Sequence, residues 1–67
     1  MIKCRLSILM GERKLRVADV ARETGLSRST VTSLYKETAE RVDLNSIDAL
    51  CEFLDCEVGE LFVREFS

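Results

Sequence analysis

Apolar residues recur every three or four positions along most of this chain, a spacing that places them on one face of an α-helix. We predict a first helix over residues 2–13, with an inner face formed by Ile2, Leu6, Leu9 and Met10. A second helix is predicted over residues 17–24, with an inner face formed by Val17, Val20, Ala21 and Thr24. Gly25 follows it, and glycine readily adopts the left-handed conformation that closes a helix.

The same spacing predicts three further helices. Ser27 can cap a third helix that runs to about residue 37, and the inner face would consist of Val31, Leu34 and Thr38. Asp43 can cap a fourth helix, which carries Leu44, Ile47, Leu50, Cys51 and Leu54 at helical intervals. A short fifth helix over residues 58–63 would add Leu61 and Phe62 to the core.

The composition fits this helical pattern. The 67 residues contain no proline and only three glycines, and 46% of them are apolar. A chain of this length forms one domain and is near the lower limit at which an apolar core alone stabilises a fold. We therefore expect a single all-α domain of five short helices over residues 1–67.

Residues typical of catalytic and metal sites are scarce. The chain has no histidine, and its three cysteines, Cys4, Cys51 and Cys56, fit no zinc-binding spacing. We interpret Cys51 and Cys56 as small core residues, with a redox role or an intermolecular bond as the alternative. Nothing in the sequence indicates an enzyme, a cofactor, a metal or a small-molecule effector. Without a long apolar run or a signal-like beginning, we expect a cytoplasmic protein without membrane contact.

Charge is divided unevenly along the chain, although the net charge is only −2. Residues 1–36 carry eight basic and three acidic side chains, a charge of +5. Residues 37–67 carry two basic and nine acidic side chains, a charge of −7. A basic region joined to an acidic one suits a surface that faces a polyanion.

The segment over residues 17–36 has the spacing of two helices that cross at a tight turn. Ala21 is small enough for a close crossing, Gly25 makes the turn, and Leu26 fills the corner. Val31 and Leu34 would hold the second of these helices against the first. An ordinary helical hairpin meets the same needs, so the spacing alone leaves both interpretations open.

The outward face of the third helix favours nucleic-acid binding. It carries Arg28, Ser29, Thr32, Ser33 and Lys36, and no acid, in a chain that has twelve acidic residues. Small hydroxyl side chains let a helix enter a groove closely, and an arginine can donate two hydrogen bonds to a guanine. The backbone N–H groups after Ser27 could bind a phosphate.

At these residues the chain resembles the phage-repressor/Cro-type helix-turn-helix family, also called the xenobiotic-response-element type. The resemblance covers Cys4-Arg5-Leu6, the motif VADVARETGLSRSTVTSLYKE and the closing LNSIDALCEFLDCEVGELF. It implies a compact five-helix domain that regulates transcription. Such a domain binds double-stranded operator DNA, often as a homodimer, with the third helix in the major groove.

The resemblance also implies roles for individual residues. It places base-facing or groove-facing positions at Ser27, Arg28, Ser29, Thr32 and Ser33, and phosphate contacts at Arg16, Lys36 and Arg41. The chain departs from the family at two positions. Arg16 replaces the usual polar cap of the second helix, and Val17 replaces a residue that often contacts phosphate.

Several alternatives remain open at this point. Arg13 and Lys14 could contact DNA or only solvent, and Tyr35 could pack at the core edge or reach a phosphate. Cys4 and Ile8 would share a second stripe on the first helix, either exposed or in a subunit contact. Residues 62–66 could pair as a strand across a dimer or fray. An interaction module, such as an antitoxin-like partner, would instead use the acidic residues Glu52, Asp55, Glu57 and Glu60.

Overall fold

The structure is a computed structural model and describes residues 1–66. These residues form five helices and two short strands. The elements are, in chain order, β1 Ile2–Cys4, α1 Leu6–Glu12, α2 Val17–Thr24, α3 Arg28–Tyr35, α4 Leu44–Leu54, α5 Val58–Leu61 and β2 Phe62–Arg64. The expected five helices are therefore present. Within the same residues no helix has the length and apolar character needed to cross a bilayer.

The two ends of the described chain pair as a two-stranded antiparallel sheet. Ile2 lies opposite Arg64, and Cys4 lies opposite Phe62. The Arg5 N–H donates to the Leu61 carbonyl oxygen at 2.7 Å, where the sheet meets the helices. The all-α prediction is thus wrong for the chain ends, and the segment from residue 62 pairs within its own chain instead of fraying or crossing a dimer.

The first and fifth helices are shorter than predicted because of this pairing. Residues 2–4 fit the helical spacing, but Ile2 is 62% exposed on a strand and is not part of the inner face of α1. Cys4 also lies on β1, so it shares no helical stripe with Ile8, which is exposed on α1. A helix over residues 2–5 would leave the backbone of β2 without its partner.

The starts of α2, α3 and α4 and the end of α2 agree with the prediction, whereas α3 ends two residues earlier than predicted. The Ser27 Oγ accepts a hydrogen bond from the Thr30 N–H at 3.1 Å, and the Asp43 Oδ1 accepts one from the Ser46 N–H at 3.1 Å. Gly25 has a φ of 78° and its N–H donates to the Ala21 carbonyl oxygen. These are the capping interactions that the sequence indicates.

The core lies between the helices and contains side chains from all five. Its buried apolar members are Leu6, Leu9, Met10, Val20, Ala21, Val31, Leu34, Leu50, Leu54 and Leu61. Besides Ile2, two further inner-face predictions are wrong. Leu44 is 81% exposed because it is the first residue of α4, and Thr38 is exposed because α3 ends at Tyr35.

Cys51 and Cys56 are partly buried and pack against this core, as predicted. The Cys56 N–H donates to the Cys51 carbonyl oxygen at 3.0 Å, where α4 ends. Burial raises the pKa of the Cys51 thiol, and the neighbouring Cys56 raises it further. A thiol with a raised pKa is protonated at neutral pH and therefore a poor nucleophile.

Candidate nucleic-acid interface

The turn between α2 and α3 is built from short-range hydrogen bonds. The Thr24 Oγ1 donates to the Val20 carbonyl oxygen at 2.6 Å and accepts from the Leu26 N–H at 3.3 Å. Leu26 is partly buried against the core, so it fills the corner as predicted. Together with the left-handed Gly25, these bonds hold α3 against α2 while its outward face stays accessible.

Two of the five predicted groove-facing side chains, Ser27 and Ser33, form hydrogen bonds within the protein. The Ser27 Oγ caps α3 and donates to the Thr30 Oγ1 at 2.9 Å. The half-buried Ser33 donates its hydroxyl to the Thr30 carbonyl oxygen at 2.9 Å. A hydroxyl can still accept another bond, but these two are held in place by the helix itself.

The side chains of the other three predicted groove-facing residues form no hydrogen bond within residues 1–66. Arg28 and Ser29 are exposed, and Thr32 is half-buried. Arg28 and Thr32 are four residues apart, as are Thr32 and Lys36, so the three follow one line along the helix surface. Ser29 and Ser33 form a neighbouring line. The structure therefore brings the predicted residues of α3 together on adjacent lines of one surface.

The basic side chains are divided between those that hold the fold and those that do not. Among residues 1–66, the ion pairs involve Arg13 and Arg22 and no other basic residue. Arg13 also donates to the carbonyl oxygens of Leu9, at 3.1 Å, and Leu54, at 2.9 Å. Arg13 therefore has a structural role that neither of the two interpretations included, because it links α1 to the end of α4.

Arg16, Arg28, Lys36 and Arg41 are exposed and form no ion pair within the described residues. Arg16 precedes α2 and its side chain makes no capping hydrogen bond, but its N–H donates to the Asp19 Oδ2 at 3.0 Å. This backbone N–H lowers the pKa of the Asp19 carboxyl, and the nearby Arg22 lowers it further. The guanidinium of Arg16 is left accessible.

Arg41 lies in the segment between α3 and α4, at an open groove of about 590 Å³. The groove is mostly apolar and includes Leu34, Val42, Ile47 and Phe62 in its lining. The sequence pattern did not reveal this groove, because its walls come from both strands, the 39–42 segment and three different helices.

The four acidic residues of the alternative interaction surface lie on α4, on α5 and in the turn between these helices. Glu52, Asp55 and Glu57 are exposed on α4 and the turn that follows it. The exposed Glu60 uses its Oε1 to accept the Glu57 N–H at 2.9 Å, so it caps α5. Glu37 directly follows Lys36, but its Oε1 accepts the Cys4 N–H at 3.0 Å. No periodicity or motif in the sequence indicated this last contact.

A family model described as the Cro/C1-type HTH DNA-binding domain matches residues 5–67. The chain belongs to the Cro/C1-type helix-turn-helix family. As a member of this family it is a DNA-binding domain of the kind found in transcriptional regulators. The match includes every residue for which the sequence predicted a DNA contact.

One curated relative of this Cro/C1-type domain is distant in sequence. It is 21% identical over 56 residues to an uncharacterized HTH-type transcriptional regulator, YozG, of Bacillus subtilis (strain 168). That alignment covers 84% of this chain and 67% of YozG. At this identity, the relative supports the family assignment but does not indicate which DNA is bound.

Two solved structures have the same fold. One, from Bacteroides fragilis and described as a candidate DNA-binding protein, is 18% identical, with a TM-score of 0.80 over 92% of this chain and 98% of the other. The second is SinR, a master regulator for biofilm formation, in complex with DNA. It is 17% identical, with a TM-score of 0.74 over 81% of this chain and 86% of the other.

Proposed function

We propose that this Cro/C1-type domain is a sequence-specific repressor that binds an operator with α2 and α3 as its helix-turn-helix. In this proposal α3 lies in the major groove. Arg28 donates to a guanine, while Ser29 and Thr32 contact neighbouring base edges. Ser27 and Ser33 shape the surface, since their hydroxyls also bond within α3.

One observation carries the proposal. The outward face of α3 presents a guanidinium and hydroxyl groups without any carboxylate, in a chain with twelve acidic residues. Arg28 and Lys36 are exposed, and neither takes part in the ion pairs of the described residues. Cations that are not needed for the fold are available to the phosphates and bases of DNA.

Phosphate contacts are proposed for Arg16, Lys36 and Arg41, on the strength of their exposure and their free charge. These contacts would supply affinity that does not depend on sequence and that decreases as salt concentration rises. The SinR structure, which is in complex with DNA, supports this mode of binding because its fold is the same.

We also propose that two copies bind together. A symmetric dimer would place its two α3 helices about 34 Å apart, one turn of DNA, and would select a palindromic operator. Repression would follow from occupation of a promoter by this dimer.

Selection of bound sequences from a random duplex pool tests the proposal. We expect a motif composed of two inverted half-sites whose centres are about 10 base pairs apart. With the selected duplex, Arg28→Ala should lose about 1–3 kcal/mol of base discrimination, whereas Lys36→Ala should weaken selected and random duplexes alike. A pool that returns no motif, or equal losses on both duplexes for both variants, would contradict the proposal.

A further inference from the structure

A side-chain hydrogen bond joins the end of α3 to the terminal sheet. Glu37 follows Lys36, the C-cap of α3, and its Oε1 accepts the N–H of Cys4 at 3.0 Å. The two residues are 33 positions apart in sequence. The bond therefore connects the proposed DNA-reading helix directly to strand β1.

The Cys4 N–H lies on the edge of β1 that faces away from β2. The backbone groups of Met1 and Arg5 bond to Glu65 and Leu61, the residues on either side of β2, and alternate residues of an antiparallel strand face opposite edges. The intervening Cys4 therefore directs its N–H outward, where the Glu37 carboxylate satisfies it. An outer strand edge with unpaired groups is otherwise open to solvent or to another chain.

The backbone of Glu37 is in a conformation that favours glycine. Its φ is 58°, and it closes α3 in the way that Gly25 closes α2. The next residue, Thr38, donates its N–H to the Ser33 carbonyl oxygen at 2.9 Å, which completes the helix end. A glycine would make this turn with less strain, but it would lack the carboxylate that reaches Cys4.

We propose that Glu37 is a positioning residue that fixes the end of α3 against β1, so that the outward face of α3 keeps its orientation in the major groove of DNA. This inference rests on the proposed function of α3. It explains why an acidic residue is present beside Lys36, where its negative charge opposes binding to phosphate. In this proposal the carboxylate weakens binding to phosphate but orients the helix.

Two variants separate the hydrogen bond from the charge. Glu37→Gln and Glu37→Ala both remove the negative charge, but only glutamine keeps an oxygen that can accept the Cys4 N–H. Affinity for a random duplex should rise to a similar extent in both. The ratio of affinities for the selected and random duplexes should stay within about twofold of the original in Glu37→Gln. It should fall about two- to tenfold in Glu37→Ala, the range expected for loss of one hydrogen bond.

Amide exchange measured by NMR reports on the bond without DNA. The Cys4 N–H should exchange slowly in the original chain and in Glu37→Gln, and faster in Glu37→Ala. Asp55→Ala is the matched control, because Asp55 also has a positive φ, 52°, after a helix, and its side chain forms no hydrogen bond within residues 1–66. It should leave both the affinity ratio and the Cys4 exchange unchanged.

Equal affinity ratios in Glu37→Gln and Glu37→Ala would overturn the inference, and so would unchanged Cys4 exchange in Glu37→Ala. Either result leaves the proposed function standing, because the selected duplex would still be recognised. A pool without a motif would instead remove the proposed function, and with it the positioning role. The two failures are therefore distinguished by whether a selected duplex exists.

Discussion

Helices α3 and α4 have similar inner faces and opposite outer faces. Each contributes leucines that are almost completely buried, Leu34 at 3% and Leu50 at 0% exposure. The accessible residues of α3 include Arg28, Ser29 and Thr32, whereas the exposed residues of α4 include Asp48 and Glu52. Both helices begin with a side-chain cap, and an acidic residue with positive φ follows each of them, Asp55 directly after α4 and Glu37 two positions after the last residue of α3.

This difference separates what stabilises the domain from what binds its ligand. The inner faces of α3 and α4 stabilise the domain in the same way, because the burial of apolar surface is favourable without any directional interaction. The outer faces differ, because a phosphate backbone attracts the basic face of α3 and repels the acidic face of α4. In the function proposed above, DNA binding is therefore a property of one exposed helix surface, that of α3, and the core supports it.

The inner faces should respond alike to truncation, with the largest effect of any change considered. Leu34→Ala and Leu50→Ala should each lower the free energy of unfolding by about 2–5 kcal/mol, because each leaves a cavity in a small core. Urea unfolding followed by circular dichroism measures this. A loss below about 1 kcal/mol at either position would show that its burial is not needed for the fold.

The outer faces should respond in opposite ways to a change of charge. Ser29→Glu places a carboxylate on the outward face of α3, and we expect at least a tenfold loss of affinity for all duplexes, about 1.4 kcal/mol. Stability should not fall, because an acid in the first turn of a helix is favourable. The control Glu52→Ser, on α4, should leave DNA affinity within about twofold. Fluorescence anisotropy at low salt would measure both, and equal effects of the two changes would contradict the comparison.

The starts of α2, α3 and α4 and the turn at Gly25 could be predicted from the sequence. Gly25, Ser27 and Asp43 act through neighbours three or four residues away, so their local patterns determine the helix ends. The strands could not be found this way. Each is three residues long, and its partner lies about sixty positions away, so neither leaves a local period that differs from a helix.

The sequence was also sufficient to predict part of the candidate DNA-binding site. The exposed cations of α3 are evident from helical spacing alone. The internal bonds of Ser27 and Ser33, however, depend on hydroxyl orientation, which spacing does not determine. The contact between Glu37 and Cys4 joins two segments through the terminal sheet, so it could not be inferred before that sheet was known.

The two helix ends should respond differently to glycine. Asp55→Gly relieves a positive φ of 52° at the end of α4 and should raise the free energy of unfolding by about 1 kcal/mol. Glu37→Gly relieves the same strain after α3 but loses the bond to Cys4, so its gain should be smaller. Thermal unfolding of the two variants measures the difference. A gain for Glu37→Gly that equals the gain for Asp55→Gly would show that the bond adds no stability.

The two helix starts should differ in their response to acid, with the smallest effect. The Ser46 hydroxyl and N–H lower the pKa of the Asp43 carboxyl that caps α4, whereas the cap of α3 is the neutral Ser27. A lowered pKa in the folded state means that this carboxylate stabilises the fold above its unfolded pKa of 3.8, and that the contribution is lost as pH falls through the lower folded value. The stability difference between the original chain and Asp43→Ser should therefore shrink as pH falls from about 5 to below 3. A difference that stays constant across this range, in urea unfolding at each pH, would refute the charged cap.

The most direct test of the central claim, that the outward face of α3 reads base edges, uses a panel of single-base variants of the selected duplex. The original chain, Arg28→Ala and Lys36→Ala would each be titrated against every member at one salt concentration. We predict that Arg28→Ala loses discrimination at one guanine position in each half-site, whereas Lys36→Ala weakens all duplexes and keeps every preference. If Arg28→Ala instead keeps every preference and only weakens binding, α3 does not read the sequence through Arg28, and the account is wrong.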